Sequence, residues 1–352
     1  MTDATDLFLA LTPERVLESV EAAGLPTRPV CYPLNSFENR VYEVELADRS
    51  RVVAKFYRPS RWTEAQIQEE HDFLAELAED EIPVCPVTPF PDGSTIHQID
   101  NICYCIFERR GGRAVDELTD DAARRLGMLT GRLHNVGARR PMKHRPALDT
   151  QRYIRRAVDY LADHGTIPAG LETRYCDTAL EIARLADHAL EGVPRIRIHA
   201  DLHLGNILFR DGELRLLDFD DMATGPAVQD VWLCLPGRDR DAIFQRELFL
   251  EGYEQFRSFD RQTLKLIEPL RGLRLVRYAG WLARRWHDPA FKTGWPHFGT
   301  ADYWQRETDD LTEQLAAIHG ELPDPEPEES RYRPPATEEL LSNKDYFFDW
   351  ED

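Results

Sequence analysis

Asp201, Asn206 and Asp218 carry the first chemical signal in this chain. A carboxylate, a carboxamide five residues on, and a second carboxylate after the next apolar run stand at separations suited to magnesium-dependent phosphoryl transfer. Asp201 can orient and deprotonate a hydroxyl, while Asn206 and Asp218 can hold a metal ion against phosphates. A carboxylate of low pKa suffices as base, because the transition state is loose and the hydroxyl proton leaves late. Asp218 ends the apolar run 214–217, where a buried charge is costly unless a cation neutralises it, so metal is its expected partner. Asp220 follows at once, and its role stays open between a further metal contact and a solvent-facing position. His199 is expected to brace the loop through backbone hydrogen bonds rather than to act as base. His203 points the same way as Asp201 if the segment is extended, which leaves open whether it touches the transferred group. Asp230, in the first turns of an apolar helix, should accept backbone N–H groups and so support the Asp201 loop.

A nucleotide also needs a cation and a loop. Lys55 lies in the strand-like run Val52-Val53-Ala54-Lys55-Phe56, where its amine can reach phosphates. The following helix offers Glu69 and Glu70 as partners; Glu70, three residues from both Ile67 and Phe73, is nearer the inward face and is preferred. Upstream, residues 33–42 occupy the place of a phosphate-covering loop yet contain no glycine. Backbone amides and the Ser36 hydroxyl can still contact phosphate oxygens there. A helix with Arg271, Arg274, Arg277, Arg284 and Arg285 among Tyr278, Trp281 and Trp286 could line the acceptor side of a cleft. The preferred reading is plainer: arginines paired with the surplus acids, and tryptophans in the core.

Elements must position these groups. Thr12 and Pro13 open a helix over 12–23, residues 41–46 and 51–57 form a hairpin, and a helix covers 63–78. Strand-like pieces return near 84–90 and 102–107. After Gly111-Gly112 the pattern turns helical, over 115–136, 151–164, 171–191, 227–235, 240–256, 262–286 and 302–318, interrupted by strand signals around 199–218. This predicts a nucleotide-binding sheet region at 1–110 and a catalytic, acceptor-side helical region at 111–321. Residues 322–352, rich in proline and carboxylates, are expected to be a loosely ordered tail. Too few residues separate Asp218 from Asp230 for a long activation loop.

With 352 residues, 42% of them hydrophobic, the chain can fill two cores, and a monomer is expected. The formal charge of -20 disfavours nucleic acid as a partner, since phosphate-backbone binding needs an excess of Lys and Arg. An acidic ATP-binding protein must gather its cations locally. Six cysteines without a CxxC pair or disulfide ladder, and opening residues unlike a signal peptide, predict a reduced, cytoplasmic protein. Cys103 and Cys105 share a strand face and are read as buried structural thiols. No apolar run approaches the roughly 20 residues of a membrane span.

Lys55, Glu70, the 126–134 segment ending in His134, the 199–206 segment, residues 218–220 and Asp230 resemble the protein-kinase-like superfamily that includes aminoglycoside phosphotransferases and choline kinases. The resemblance spans about residues 30–320. Longer strings at 33–42, 55–63, 267–271 and 284–291 look like a bacterial family of stress response kinases. The resemblance implies an α+β bilobal kinase fold, with a small β-rich N-lobe carrying one helix and a larger, mainly helical C-lobe. It implies ATP and Mg2+, and transfer to Ser or Thr of proteins in envelope and oxidative stress. It further implies Asp201 and Asp218 as active-site carboxylates, Asn206 and Asp218 as magnesium ligands, and Ser36 as an ATP contact. His203 stands where eukaryotic protein kinases carry lysine two residues after the base, as in many small-molecule kinases. A kinase of choline, homoserine, sugar or aminoglycoside type is therefore the alternative, and a non-catalytic nucleotide-binding regulator is a second one.

Overall fold

The computed structural model describes residues 4–34, 36–115 and 117–322, so the expected acidic tail lies outside the described residues from 323 onward. Strands β1 (Thr27–Leu34), β2 (Arg40–Leu46), β3 (Arg51–Phe56), β4 (His97–Ile99) and β5 (Ile102–Glu108) form an antiparallel sheet in the order β1-β2-β3-β5-β4. The β2–β3 hairpin turns through Arg49 at φ 72°, with the Asp48 carboxylate accepting from the Ser50 N–H at 2.9 Å. Period-two alternation separates the two faces of β3. Ala54 and Phe56 pack with Val16 and Val20 of α2 (Pro13–Ala22), which follows the short α1 (Ala4–Leu9). Lys55 faces the other way, toward α3 (Glu64–Glu79), where Tyr57 and Cys105 pack with Ile67.

Caps fix the helix starts. The Thr12 hydroxyl accepts from the Arg15 N–H ahead of Pro13, and Thr63 and Gln66 form a reciprocal capping box at the start of α3. The expected strand over 84–90 does not form beyond an isolated Val87–Phe107 bridge, because Pro83, Pro86 and Pro89 remove the N–H groups a ladder needs. The expected helix from 115 starts five residues later, as α4 (Asp120–Gly137), where Thr119 supplies the cap; β6 (Arg113–Ala114) precedes it.

Beyond α4 the chain is mainly helical. A π turn at Gln151–Arg155 leads into α5 (Arg156–Asp163), followed by α6 (Ala169–Ala189). Short strands β7 (Ile196–Ile198), β8 (Ile207–Arg210), β9 (Glu213–Leu216) and β10 (Ala223–Gly225) interrupt it, with β7 paired to β10 and β6 joining the β8–β9 hairpin. Then come α7 (Val228–Cys234), α8 (Arg240–Tyr253), α9 (Ile267–Arg285), α10 (Pro289–Gly294) and α11 (Ala301–His319). One core lies between α5, α6, α9 and α11 around Trp232 and Trp304. A second joins Phe73 and Leu77 of α3 to Leu126 and Leu133 of α4 and to Phe249 and Tyr253 of α8. Each such side chain adds about 1.5–3 kcal/mol by leaving water, so α3 is fastened to the helical region through Phe73 and Leu77 while Ile67 reaches the sheet. Glycine lets α4 and α8 touch backbone to backbone: a Cβ on Gly127 would stand 1.8 Å from the Phe249 carbonyl oxygen, and one on Gly252 would stand 1.9 Å from that of Arg124. Among the described residues, no helix is long and apolar enough to cross a membrane.

Candidate active site

Asp230 organises the loop that follows β7. Its carboxylate accepts from the His199 N–H at 2.9 Å and the Ala200 N–H at 2.7 Å, and it meets His134 Nε2 at 3.0 Å. A carboxylate only accepts, so His134 donates from Nε2 and its Nδ1 accepts from the Tyr253 hydroxyl at 2.9 Å. His134 and Asp230 are wholly buried. This chain of bonds holds Ala200 at φ 67°, the left-handed turn that delivers Asp201 into the cleft. His199 braces the same loop, as its spacing suggests. Its Nδ1 accepts from the Asp201 N–H at 3.3 Å, which leaves Nε2 to donate to the Leu217 carbonyl at 2.7 Å.

Asn206 donates from its side-chain amide nitrogen to the Asp201 carbonyl at 2.9 Å, and its backbone carbonyl accepts from the Leu217 N–H at 2.9 Å. The Asn206 side chain and Asp218 therefore line one cleft of about 320 Å3, together with Ser36, Asp201 and His203. Asp218 departs from expectation. Its φ of 51° turns the side chain out of the strand line, and the carboxylate is 52% exposed rather than buried, so desolvation is not what calls for a cation there. Asp220 is the buried one, paired with Lys55 at 3.3 Å and Arg61 at 2.7 Å, which settles its open position away from solvent. Burial opposes its charge, yet Arg61 and Lys55 hold its pKa well below the ordinary value.

Lys55 Nζ stands 3.3 Å from each of Glu70, Asp218 and Asp220. Burial alone would lower its pKa, but these carboxylates raise it, so the amine stays charged. Glu70 is shared with Arg145 at 2.5 Å, and burial keeps its pKa above the ordinary value despite Lys55 and Arg145. Glu69 serves elsewhere, accepting from the backbone N–H groups of Lys143, His144 and Arg145. Burial also pushes the Cys105 thiol up to about 12, in keeping with a structural role.

Asp201 is flanked by Arg274 and His203. Arg274 Nη1 donates to Oδ1 at 2.6 Å, and His203 Nε2 lies 3.6 Å from Oδ2. Burial raises its pKa, but Arg274 and His203 outweigh burial and leave it well below the usual carboxylate range. The basic helix α9 thus differs from the preferred reading. Its arginines do pair with acids, but the acids are those of the cleft: Arg274 with Asp201, Arg277 with Asp221 at 2.5 Å, and Arg285 with Glu38 at 2.7 Å. Trp281 lines the cleft as well and donates to Glu38. Arg271 alone follows the plainer reading, buried against Trp232, Glu268 and the Pro236 carbonyl.

The glycine-free loop is held from outside. Arg58 donates to the Glu38 carbonyl at 2.9 Å and the Phe37 carbonyl at 3.1 Å, while the Phe37 ring packs edge-on to Trp295 with centroids 4.5 Å apart. Arg58 in turn pairs with the buried Asp288 at 3.0 Å. Sequence reasoning did not single out Arg145, Arg61, Glu38 or Asp288 for roles, since their partners lie far along the chain.

Among the described residues no three His, Cys, Asp or Glu side chains gather as a self-sufficient metal nest. The donor set nonetheless fits Mg2+: a carboxamide oxygen and an outward-turned carboxylate are hard ligands, and Mg2+ commonly takes one or two protein oxygens beside phosphates and water.

A model of the phosphotransferase enzyme family matches residues 31–267. Stress response kinase A of Salmonella typhi is 39% identical over 320 residues, covering 91% of this chain and 97% of the relative. A protein of Salmonella typhimurium called serine/threonine protein kinase RdoA shows the same identity and coverage. Among solved structures, amicoumacin kinase hAmiN in complex with AMP-PNP, Ca2+ and Ami aligns with a TM-score of 0.69 at 22% identity, over 90% of this chain and 96% of that one. A microcompartment-associated aminopropanol kinase aligns at 0.65 and 21%, over 86% and 96%. At such identities these two share the fold.

Proposed function

This chain belongs to the phosphotransferase enzyme family and, within it, to the family of stress response kinase A, and on that premise we propose that it is an ATP- and Mg2+-dependent kinase of Ser and Thr hydroxyls in proteins, acting in stress response. The observation that carries the reading is Lys55 Nζ, 3.3 Å from both Glu70 and Asp218, beside the cleft that Asp201 and Asn206 share. Ser36 and the amides of its loop would meet phosphate oxygens, and Lys55, fixed by Glu70, would pair with the phosphates. Asn206 and Asp218 would hold Mg2+, which when bound would neutralise phosphate charge.

Asp201 accepts the hydrogen bond of the acceptor hydroxyl and orients its oxygen in line with the γ-phosphorus. As the new P–O bond forms and the bond to ADP breaks, the hydroxyl proton passes to Asp201. The low pKa of Asp201 suits this late transfer, in which orientation matters more than base strength. Two features support a protein acceptor. One is the Salmonella typhimurium relative, which is called a serine/threonine protein kinase. The other is charge: Glu38, Asp201, Asp220 and Asp221 each have an arginine against them, and Asp218 has Lys55, so the acceptor side offers poor recognition to an ammonium group. The solved small-molecule kinases and His203 favour the second reading, a kinase of small hydroxyl compounds.

Labelled ATP offered with a protein extract and, separately, with a metabolite pool tests the choice. Label should enter proteins, and Asp201→Ala should lower turnover by about 10^2–10^4-fold while ATP still binds. Label found only in small molecules would refute the protein acceptor.

A further inference from the structure

Arg274 and Arg277 lie three residues apart on α9, hence on one face, and both line the acceptor side of the cleft. Arg277 is tied down. It shares Asp221 with Arg61, at 2.5 and 2.8 Å, and its guanidinium lies 4.4 Å from the centroid of the Tyr153 ring. Arg274 is engaged differently, because the carboxylate it meets at 2.6 Å is Asp201 itself. One oxygen of Asp201, Oδ1, is therefore covered by a guanidinium before any acceptor arrives, while Oδ2 lies 3.6 Å from His203 Nε2. For Asp201 to engage the hydroxyl through Oδ1, the pair with Arg274 must open or share.

Two kinds of acceptor affect that pair oppositely. An acceptor with an ammonium group beside its hydroxyl meets two guanidinium groups and leaves Arg274 on Asp201. An acceptor with its own carboxylate or phosphate gives the planar guanidinium fork a replacement partner. The exchange swaps one anion for another on Arg274 and frees Asp201 Oδ1 without stranding a charge.

We propose that Arg274 reads an anionic group next to the acceptor hydroxyl, and that engaging this group uncovers Asp201. The proposal rests on the kinase reading above and narrows its acceptor to a Ser or Thr flanked by Asp, Glu or a phosphorylated residue. Arg274 is thus a specificity-determining residue placed beside the base.

Matched serine peptides differing only in Glu or Lys flanks test it, read as kcat/KM. The wild type should favour the Glu peptide by about tenfold or more, since like-charge juxtaposition costs more than 1.4 kcal/mol. Arg274→Glu should reverse the order, and the same order in both proteins would overturn the proposal. A second measurement needs no variant. A Glu-flanked peptide with Ala in place of Ser should compete with the acceptor, and its Lys-flanked counterpart should not; equal inhibition would overturn the proposal. If peptides are not phosphorylated, small hydroxy acids and amino alcohols are compared. Label on hydroxy acids alone would refute the protein acceptor yet uphold the role of Arg274, whereas label on amino alcohols would overturn that role.

Discussion

Arg145→Met isolates the contribution of one buried guanidinium to the charge cluster around Lys55 and Glu70. Arg145 lies over the Trp62 ring at 4.2 Å and donates to Glu70 at 2.5 Å, to the Gln66 carbonyl at 2.8 Å and to the Asp220 carbonyl. Methionine keeps an apolar stem against Trp62 and removes the charge with its donors. Glu70, 1% exposed, would retain Lys55 as its cation, and Lys55 is already shared with Asp218 and Asp220. Breaking a buried pair by deleting one partner costs about 3–5 kcal/mol. The pH dependence gives a sign that simple loss of packing would not. Burial already raises the folded pKa of Glu70 above its ordinary 4.5, and losing Arg145 raises it further. A carboxyl with a raised folded pKa binds more protons folded than unfolded between those two values, so stability falls as pH rises through that window. The deficit of the variant against the wild type should therefore be larger at pH 8 than at pH 5. Urea unfolding followed by tryptophan fluorescence at both pH values measures it. A deficit under about 1 kcal/mol at pH 8, or one that does not change with pH, would refute this account of Glu70. Arg145→Lys should fall between, restoring charge without the planar fork.

Gly127→Ala should destabilise the fold by about 3 kcal/mol or more, because the added methyl meets backbone of α8 that no rotamer can relieve; chemical denaturation reads it directly. Asp230→Ala leaves the His199 and Ala200 N–H groups and His134 without their carboxylate, each at about 1–3 kcal/mol. Its turnover should drop by two orders of magnitude or more while ATP binding, followed by equilibrium titration, survives. Cys105, with its thiol pushed up to about 12 by burial, should resist iodoacetamide at pH 8 in the native protein and react once urea is added; peptide mass spectrometry distinguishes the two states.

Residues whose partners are near in sequence were legible before the fold was seen. The five-residue step from Asp201 to Asn206 survives as a direct hydrogen bond, and Glu70 could be preferred over Glu69 from the apolar period of one helix. Asp230 was legible as a brace because a carboxylate at the start of an apolar helix needs donors. The burial of Asp218 was misjudged because the apolar run 214–217 assigns burial to its end only while the chain stays extended, and a left-handed φ ends that extension. Arg145 and Arg274 meet Glu70 and Asp201 across 75 and 73 residues. Such pairings depend on how the sheet and helices dock, which no local spacing encodes. The strand expected at 84–90 shows the reverse error, an apolar pattern read without counting its prolines.

A glycine-rich loop can lift off its nucleotide by bending in place. In this chain the corresponding loop has Phe37 seated against Trp295, and Glu38 bound to Arg285 and Trp281. It cannot rise without drawing both side chains away from α9 and the C-terminal end of α10, so on the proposed kinase reading departure of ADP would be geared to a movement of those helices. A compound wedged between Phe37 and Trp295 would then slow turnover from outside the nucleotide pocket, giving inhibition that excess ATP does not reverse.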